Sequence, residues 1–169
     1  MDPMSSGLPP DARAVVITAS NRAAAGVYED RSGQALAAGL IALGFDVEGP
    51  HVRPDDVGEL EAVLRAAVDA RFDVVLTTGG TGLSPTDVTP EATRGVLDRE
   101  APGIAEAIRR YGEPHVPTSV LSRGLAGTAA RTLIVNLPGS TGGVRDGLAV
   151  LGPLLPHVVS QLRGGDHPR

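Results

Sequence analysis

Two loop carboxylates and one glycine-rich bend carry the most suggestive chemistry in this chain. Val74-Val75-Leu76-Thr77-Thr78 runs into Gly79-Gly80-Thr81-Gly82, and Leu83-Ser84-Pro85-Thr86-Asp87-Val88-Thr89-Pro90 follows. Val74 to Leu76 are β-branched or apolar, as expected of a strand buried on both faces. Glycines let the backbone turn sharply and present N–H groups to a ligand with no Cβ in the way. Thr89-Pro90-Glu91 reads as a helix start, with Thr89 as N-cap and Pro90 at the first helical position. A strand that empties into such a bend before a helix suits a phosphate or nucleotide at the carboxyl end of a sheet; the same pattern also serves as a plain tight turn. No Gly-Lys-Ser/Thr is present, which excludes a Walker P-loop, and Pro85 stands where a dinucleotide fingerprint needs its third glycine.

Asp55 and Asp87 lie in loops near strand ends. Two carboxylates beside substrate phosphates are what magnesium takes, because it keeps several waters and needs few protein ligands. Solvated or helix-capping roles are the alternative for both. A second candidate anion pocket is Asn136-Leu137-Pro138-Gly139-Ser140-Thr141, where Ser140 or Thr141 would cap the next helix; a simple strand-to-helix turn is its plainer reading. Arg22 and Arg123 each sit close behind a serine in a loop and would bind an anion or stay as surface charges. His51, His115, His157 and His167 show no ligand spacing, and Ser122 lacks a Gly-x-Ser-x-Gly context.

Bulk properties narrow the classes. The chain has 169 residues, 15 basic against 20 acidic side chains and a net charge of −5, so one domain with a full core is expected and a nucleic-acid partner is not. An acidic protein that handles phosphates needs a cation between the two. The absence of cysteine removes disulfides, thiolate catalysis and Cys-based zinc sites and fits a reducing cytoplasm. With two Phe, two Tyr and no Trp, the core must be aliphatic. The first ten residues show neither a basic region nor an apolar run, and no stretch reaches the length of a membrane span.

The elements needed to position these loops follow from periodicity. Strands are expected over Ala14–Ser20, Phe45–Val52, Val74–Leu76 and Thr132–Leu137. Helices are expected from about Ser32 to Leu43, over Val57 to Val68, Pro90 to Leu97, Gly103 to Tyr111, Val144 to Leu151 and Leu154 to Leu162. Asn21 to Asp30 is expected as a loop, and Leu121 to Arg131 as a hairpin. Strands alternating with helices make the class α/β, with a largely parallel, helix-covered sheet. Three loops, Ser20–Asp30, Gly79–Val88 and Pro138–Gly143, would then share the carboxyl edge of that sheet. Residues 1–12 and 164–169 are expected as tails around one domain over 13–163.

The ordered set of motifs resembles the MogA/MoaB family of molybdenum-cofactor biosynthesis proteins, and the related G domain of gephyrin. The residues that carry the resemblance are Thr77 to Gly82 with Asp87-Val88-Thr89-Pro90-Glu91-Ala92-Thr93, Ser20-Asn21-Arg22 with Gly26 and Asp30, Pro54-Asp55, Asp98 to Gly103, Leu121-Ser122-Arg123 and Asn136 to Gly139. They run in family order over about residues 14 to 162. The resemblance implies a three-layer αβα molybdopterin-binding fold that assembles as a homotrimer or dimer of trimers. The implied activity is molybdopterin adenylyltransferase, in which Mg-ATP and molybdopterin give adenylyl-molybdopterin and pyrophosphate for a downstream metal-insertion protein.

Carried over residue by residue, Gly79, Gly80, Thr81 and Gly82 would hold the nucleotide. Asp55 and Asp87 would be the functional acids and the ligands of Mg2+. Ser20, Arg22, Ser122, Arg123, Asn136, Pro138, Gly139 and Ser140 would line the molybdopterin or phosphate side. Asn21 departs from the family, where many relatives have Asp. Asp30-Arg31-Ser32-Gly33 and the short C-terminus resemble the MoaB branch. Two other classes are a non-catalytic molybdopterin carrier of the MoaB type and another pterin enzyme, such as a carbinolamine dehydratase; the latter would need clustered histidines.

Overall fold

In the computed structural model, which describes residues 7–165, alternation along the strands decides which helices cover which face. The chain lays down β1 (Arg13–Ala19), α1 (Asn21–Ala24), α2 (Arg31–Leu43), β2 (Asp46–Arg53), α3 (Val57–Asp69), β3 (Val74–Thr78), α4 (Thr89–Arg94) and β4 (Arg99–Glu100). It continues with α5 (Pro102–Gly112), a 3₁₀ turn at Pro117–Leu121, β5 (Ala126–Ala129), β6 (Thr132–Leu137), α6 (Thr141–Leu151) and α7 (Leu155–Leu162). One six-stranded sheet has the order β2-β1-β3-β6-β5-β4. Its first four strands are parallel, and β5 and β4 add antiparallel at one end.

Successive strand side chains point to opposite faces. Val16, Leu76, Val135 and Leu137 pack with Leu36, Leu40, Ile108, Leu151 and Leu155 from α2, α5, α6 and α7. Val15, Ile17, Val75 and Ile134 pack with Leu60, Leu64, Ala92 and Val96 around α3 and α4. The result is the expected αβα sandwich with an aliphatic core. Each fully buried Leu or Ile in it contributes about 1.5–3 kcal/mol relative to exposure.

Three expectations are corrected. Asn21 to Asp30 is not all loop, because Ser20 caps the short helix α1 by accepting from the Ala23 N–H at 3.1 Å. The hairpin expected over Leu121 to Arg131 forms later, with β5 and β6 as its arms; the turn falls at Ala130, whose φ is +50°. Thr89 is not an N-cap, since Val88 holds that position without a side-chain bond.

Connections leave β1 in one direction to β2 and then return across it to β3, so the order reverses between β1 and β3. Ligands in open α/β sheets bind outside the carboxyl ends of strands at such a reversal. At the opposite edge a charged cluster ties the chain's ends together. Asp73, 6% exposed, accepts from the Arg13 N–H (2.9 Å) and from Arg163 Nε and Nη2 (2.8 and 2.9 Å). Arg163 also donates to Asp11 at 2.9 Å, and hydrogen bonds to both carboxylates hold its guanidinium above the usual range. Part of the expected N-terminal tail is therefore built in: Leu8 packs on the core and Ala12 is buried. Residues 1–6 and 166–169, including His167, lie outside the described residues.

Candidate active site

The three loops expected at the carboxyl edge meet there, joined by the end of β2, around a cavity of about 610 Å3. The first loop closes on itself. Asp30 caps α2, its Oδ1 accepting from the Gly33 N–H (2.9 Å) and its Oδ2 from the Thr18 hydroxyl (2.7 Å). The Ser20 hydroxyl lies 3.0 Å from that of Tyr28. Exposed Arg22 and Arg31 line the same cavity and give it cationic side chains.

The second loop needs its glycines. Gly79 and Gly80 have φ of +95° and +69°, conformations that side chains disfavour. A Cβ on Gly79 would strike the Ala19 carbonyl, and one on Gly80 would strike the Thr89 hydroxyl and lie 3.2 Å from Asp55 Oδ1. Thr89 Oγ1 donates to the Gly79 carbonyl (2.9 Å) while its N–H donates to that of Gly80 (3.1 Å). Thr89 thus pins the bend from behind instead of capping α4. The third loop is bound to the second: Thr78 Oγ1 donates to the Pro138 carbonyl at 2.7 Å, and a Cβ on Gly139 would lie 3.2 Å from Gly79 Cα.

Asp55 and Asn21 make a reciprocal pair across the first loop and the end of β2. The Asp55 N–H donates to Asn21 Oδ1 (2.8 Å), and the Asn21 N–H donates to Asp55 Oδ2 (3.2 Å). Asp55 Oδ1 is buried with no hydrogen-bond partner. Burial pushes this carboxyl above its ordinary range, the Asn21 N–H opposes that, and the nearby Asp87 charge adds to it. Asp87 Oδ2 accepts from the Ser84 N–H at 3.1 Å and faces Gly82, 2.8 Å from where a Cβ would stand. A buried oxygen without a partner, beside a second carboxylate, is a donor set that suits a hard divalent cation.

The remaining expected residues divide. Ser20, Arg22, Asp55, Gly79, Gly80, Asp87 and Gly139 line the first cavity. Thr81, Gly82, Ser122, Pro138 and Ser140 line a second cavity of about 550 Å3 on the other side of the bend, walled by Leu83, Val116 and Leu121. His115, in the loop after α5, also lines it. Asn136 is buried and engaged: Nδ2 donates to the Thr77 and Thr93 hydroxyls (3.0 and 2.9 Å), and Oδ1 accepts from the Leu125 N–H (3.1 Å).

Arg123 grips the glycine bend. Its Nε donates to the Gly82 carbonyl (2.8 Å), Nη2 to the Asp87 carbonyl (2.8 Å), and Nη1 to Glu91 Oε2 (2.7 Å). Hydrogen bonding to Arg123 holds the Glu91 carboxyl below its usual range. The sequence does not foretell the Thr18–Asp30 and Ser20–Tyr28 pairs, nor Arg109, which holds the Ser122 and Gly124 carbonyls at 3.2 and 3.1 Å. Only Asp30-Arg31-Ser32-Gly33 offered a signal, as a capping sequence.

Comparison with known proteins bears on this geometry. A family model described as "Probable molybdopterin binding domain" matches residues 15–157. The molybdopterin adenylyltransferase of Helicobacter pylori is 37% identical over 155 residues, with 88% of this chain and 86% of that protein covered. The solved Mog protein of molybdopterin biosynthesis from Mycobacterium ulcerans is 53% identical, covers 89% of this chain and 99% of its own, and has a TM-score of 0.85. The molybdopterin biosynthesis enzyme MoaB from Thermus thermophilus is 43% identical, covering 90% and 97%, with a TM-score of 0.85. The chain spans about half the length of the bifunctional molybdenum-cofactor biosynthesis proteins that it matches.

Proposed function

The chain belongs to the molybdopterin-binding domain family, and from that premise we propose that it is a molybdopterin adenylyltransferase, transferring AMP from Mg-ATP to the terminal phosphate of molybdopterin with release of pyrophosphate. The observation that carries this reading is the pair Asp55 and Asp87 facing a positive-φ glycine bend, with Asp55 Oδ1 buried and unpartnered. ATP occupies the first cavity against Gly79 and Gly80, and molybdopterin occupies the second, against Ser122, Pro138 and Ser140. Thr81 and Gly82 form the ridge between them.

The transferred group crosses that ridge. An oxygen of the molybdopterin phosphate bonds to the α-phosphorus of ATP, the bond from that phosphorus to the bridging oxygen breaks, and pyrophosphate leaves with the electron pair. The attacking oxygen is already anionic at neutral pH, so no side chain has to remove a proton. The three described histidines, His51 on β2, His115 after α5 and His157 on α7, form no cluster of the kind a carbinolamine dehydratase would need.

What the chain supplies is alignment and charge. Backbone N–H groups of the bend hold phosphate oxygens, the exposed Arg22 and Arg31 draw the polyanion in, and Arg123 keeps the bend in register. Asp55 and Asp87 hold Mg2+, which when bound neutralises charge on the triphosphate. The protein works in the cytoplasm as a homotrimer or dimer of trimers and passes its product to a metal-insertion partner. Exposed Tyr111 and Val120, which line neither cavity, support such an assembly. No helix among the described residues is long and apolar enough to cross a membrane.

The test is pyrophosphate release from Mg-ATP with and without molybdopterin, together with detection of adenylyl-molybdopterin. Molybdopterin-dependent release supports the enzyme. Binding of molybdopterin without release would assign the chain as a carrier instead.

A further inference from the structure

Asp146 has no structural task that explains it. It lies on α6 beyond the first turn, so it neither caps that helix, which Ser140 does, nor answers its N-terminal dipole. Aspartate is a poor helix-interior residue, and this one is partly buried, with no hydrogen bond or ion pair to any described residue. Its side chain lines the second cavity and the smaller recess of about 30 Å3 beside it, as do Ser119 and Ser122.

The neighbours bring the polar groups to one corner. A Cβ on Gly112 would lie 2.7 Å from Ser119 Oγ and 3.2 Å from Asp146 Oδ2, so both groups converge where α5 gives way to the 3₁₀ turn. Gly112 leaves the space that lets them do so. The rest of the wall is largely apolar, with Leu83, Val116, Leu121 and Pro138. A flat heterocycle would be desolvated there, and its orientation would be set by the one carboxylate.

We propose that Asp146 is the specificity-determining residue of the second cavity, its carboxylate accepting two parallel N–H bonds from the 2-amino-4-oxo edge of a pterin ring. This rests on the reading that this cavity takes molybdopterin. The 2-amino group and N3–H of a pterin present two donors side by side, the pattern a carboxylate matches with both oxygens. The neighbouring 4-oxo group takes a hydroxyl proton from Ser119 or Ser122. Adenine has no such adjacent pair of ring and amino donors, so Asp146 also keeps the ATP base out of the pterin position. A site built to hydrogen-bond one edge rejects a ring lacking it, because a ring seated there would desolvate the partly buried carboxylate and leave it unpaired.

The experiment uses the full chain and Asp146→Asn, with Asp146→Ala as the second variant. Equilibrium binding of molybdopterin and of Mg-ATP is measured, followed by competition with 2-amino-4-oxopteridine and with 2,4-dioxopteridine. Asp146→Asn weakens molybdopterin by about 10- to 100-fold and leaves Mg-ATP affinity at the first cavity, which Asp146 does not line, unchanged. Its amide pairs an acceptor with a donor, so the variant's preference shifts toward the dioxo ring, a change that a structural role would not produce. Asp146→Ala weakens molybdopterin without that shift. Molybdopterin binding to Asp146→Asn at wild-type affinity overturns the inference and leaves the adenylyltransferase reading standing. Equal loss of Mg-ATP and molybdopterin in both variants overturns it too, since Asp146 would then be structural. Failure of the wild-type chain to bind molybdopterin at all removes the reading and the inference together.

Discussion

The two ends of the central strands treat a buried carboxylate in opposite ways. At the amino end, Asp73 is answered on both oxygens by Arg163 and by the Arg13 N–H. At the carboxyl end, Asp55 keeps one buried oxygen unpartnered, with a second carboxylate, Asp87, close enough to raise its pKa further. An unsatisfied buried polar atom costs about 1–3 kcal/mol, a cost the same fold avoids 18 residues away in sequence. Where charge serves stability it is paired; the open oxygen lies where the proposed function puts its cation.

The largest expected effect comes from breaking the paired end. Arg163→Ala leaves Asp73 buried with only the Arg13 N–H to answer its charge and lowers unfolding stability by about 3 kcal/mol, read from the urea midpoint. Turnover of the folded variant at saturating substrates stays at the wild-type level. A midpoint that does not move would remove the contrast between the two edges.

Asp55→Asn should do the reverse, losing turnover by about 100-fold while keeping or gaining stability by up to about 1 kcal/mol. The sign follows from the raised pKa. The folded state binds the Asp55 proton more tightly than the unfolded state, so this group favours folding below its unfolded pKa and loses that contribution as pH rises through the folded value. The stability gain of Asp55→Asn is therefore largest near neutral pH and shrinks as pH falls into the carboxylate range. Denaturant titrations at several pH values check it.

A smaller effect is expected at the clamp. Arg123→Lys cannot reproduce the fork that reaches the Gly82 carbonyl, the Asp87 carbonyl and Glu91 together. The KM for ATP rises by about 5-fold, roughly the net worth of one ordinary hydrogen bond, with less change in kcat. Smallest is Asn21→Asp. The bond from the Asp55 N–H needs only an acceptor, which aspartate also offers, so folding is unaffected within about 0.5 kcal/mol. The added negative charge tightens the Mg2+ dependence of turnover by roughly 2-fold.

Much of this was legible in the chain because it depends on local pattern. The apolar run of β3, the glycines after it and the carboxyl-edge loops follow from periodicity and turn chemistry, and so does the α/β class. α1 is invisible in the sequence because four residues carry no helical period, and Ser20 reads as the end of a strand and the start of a loop rather than as a cap. Thr89 before Pro90 has the look of an N-cap, whereas its hydroxyl is drawn to the Gly79 carbonyl by a bend that only the tertiary structure creates. Arg123 and Asn136 carry the right residue types for anion binding, but their bonding partners lie 11 to 59 positions away. Asp146 gave no signal, since a lone aspartate in an amphipathic helix looks like a solvated one.

The most direct test of the central claim is the turnover of Asp87→Ala at saturating Mg-ATP and molybdopterin, measured as adenylyl-molybdopterin formed per site. The account predicts a fall of about 100-fold or more in kcat with substrate binding changed far less, because the cation that Asp87 would hold acts on developing charge more than on affinity. Unchanged turnover in that variant would contradict the role given to the carboxylate pair.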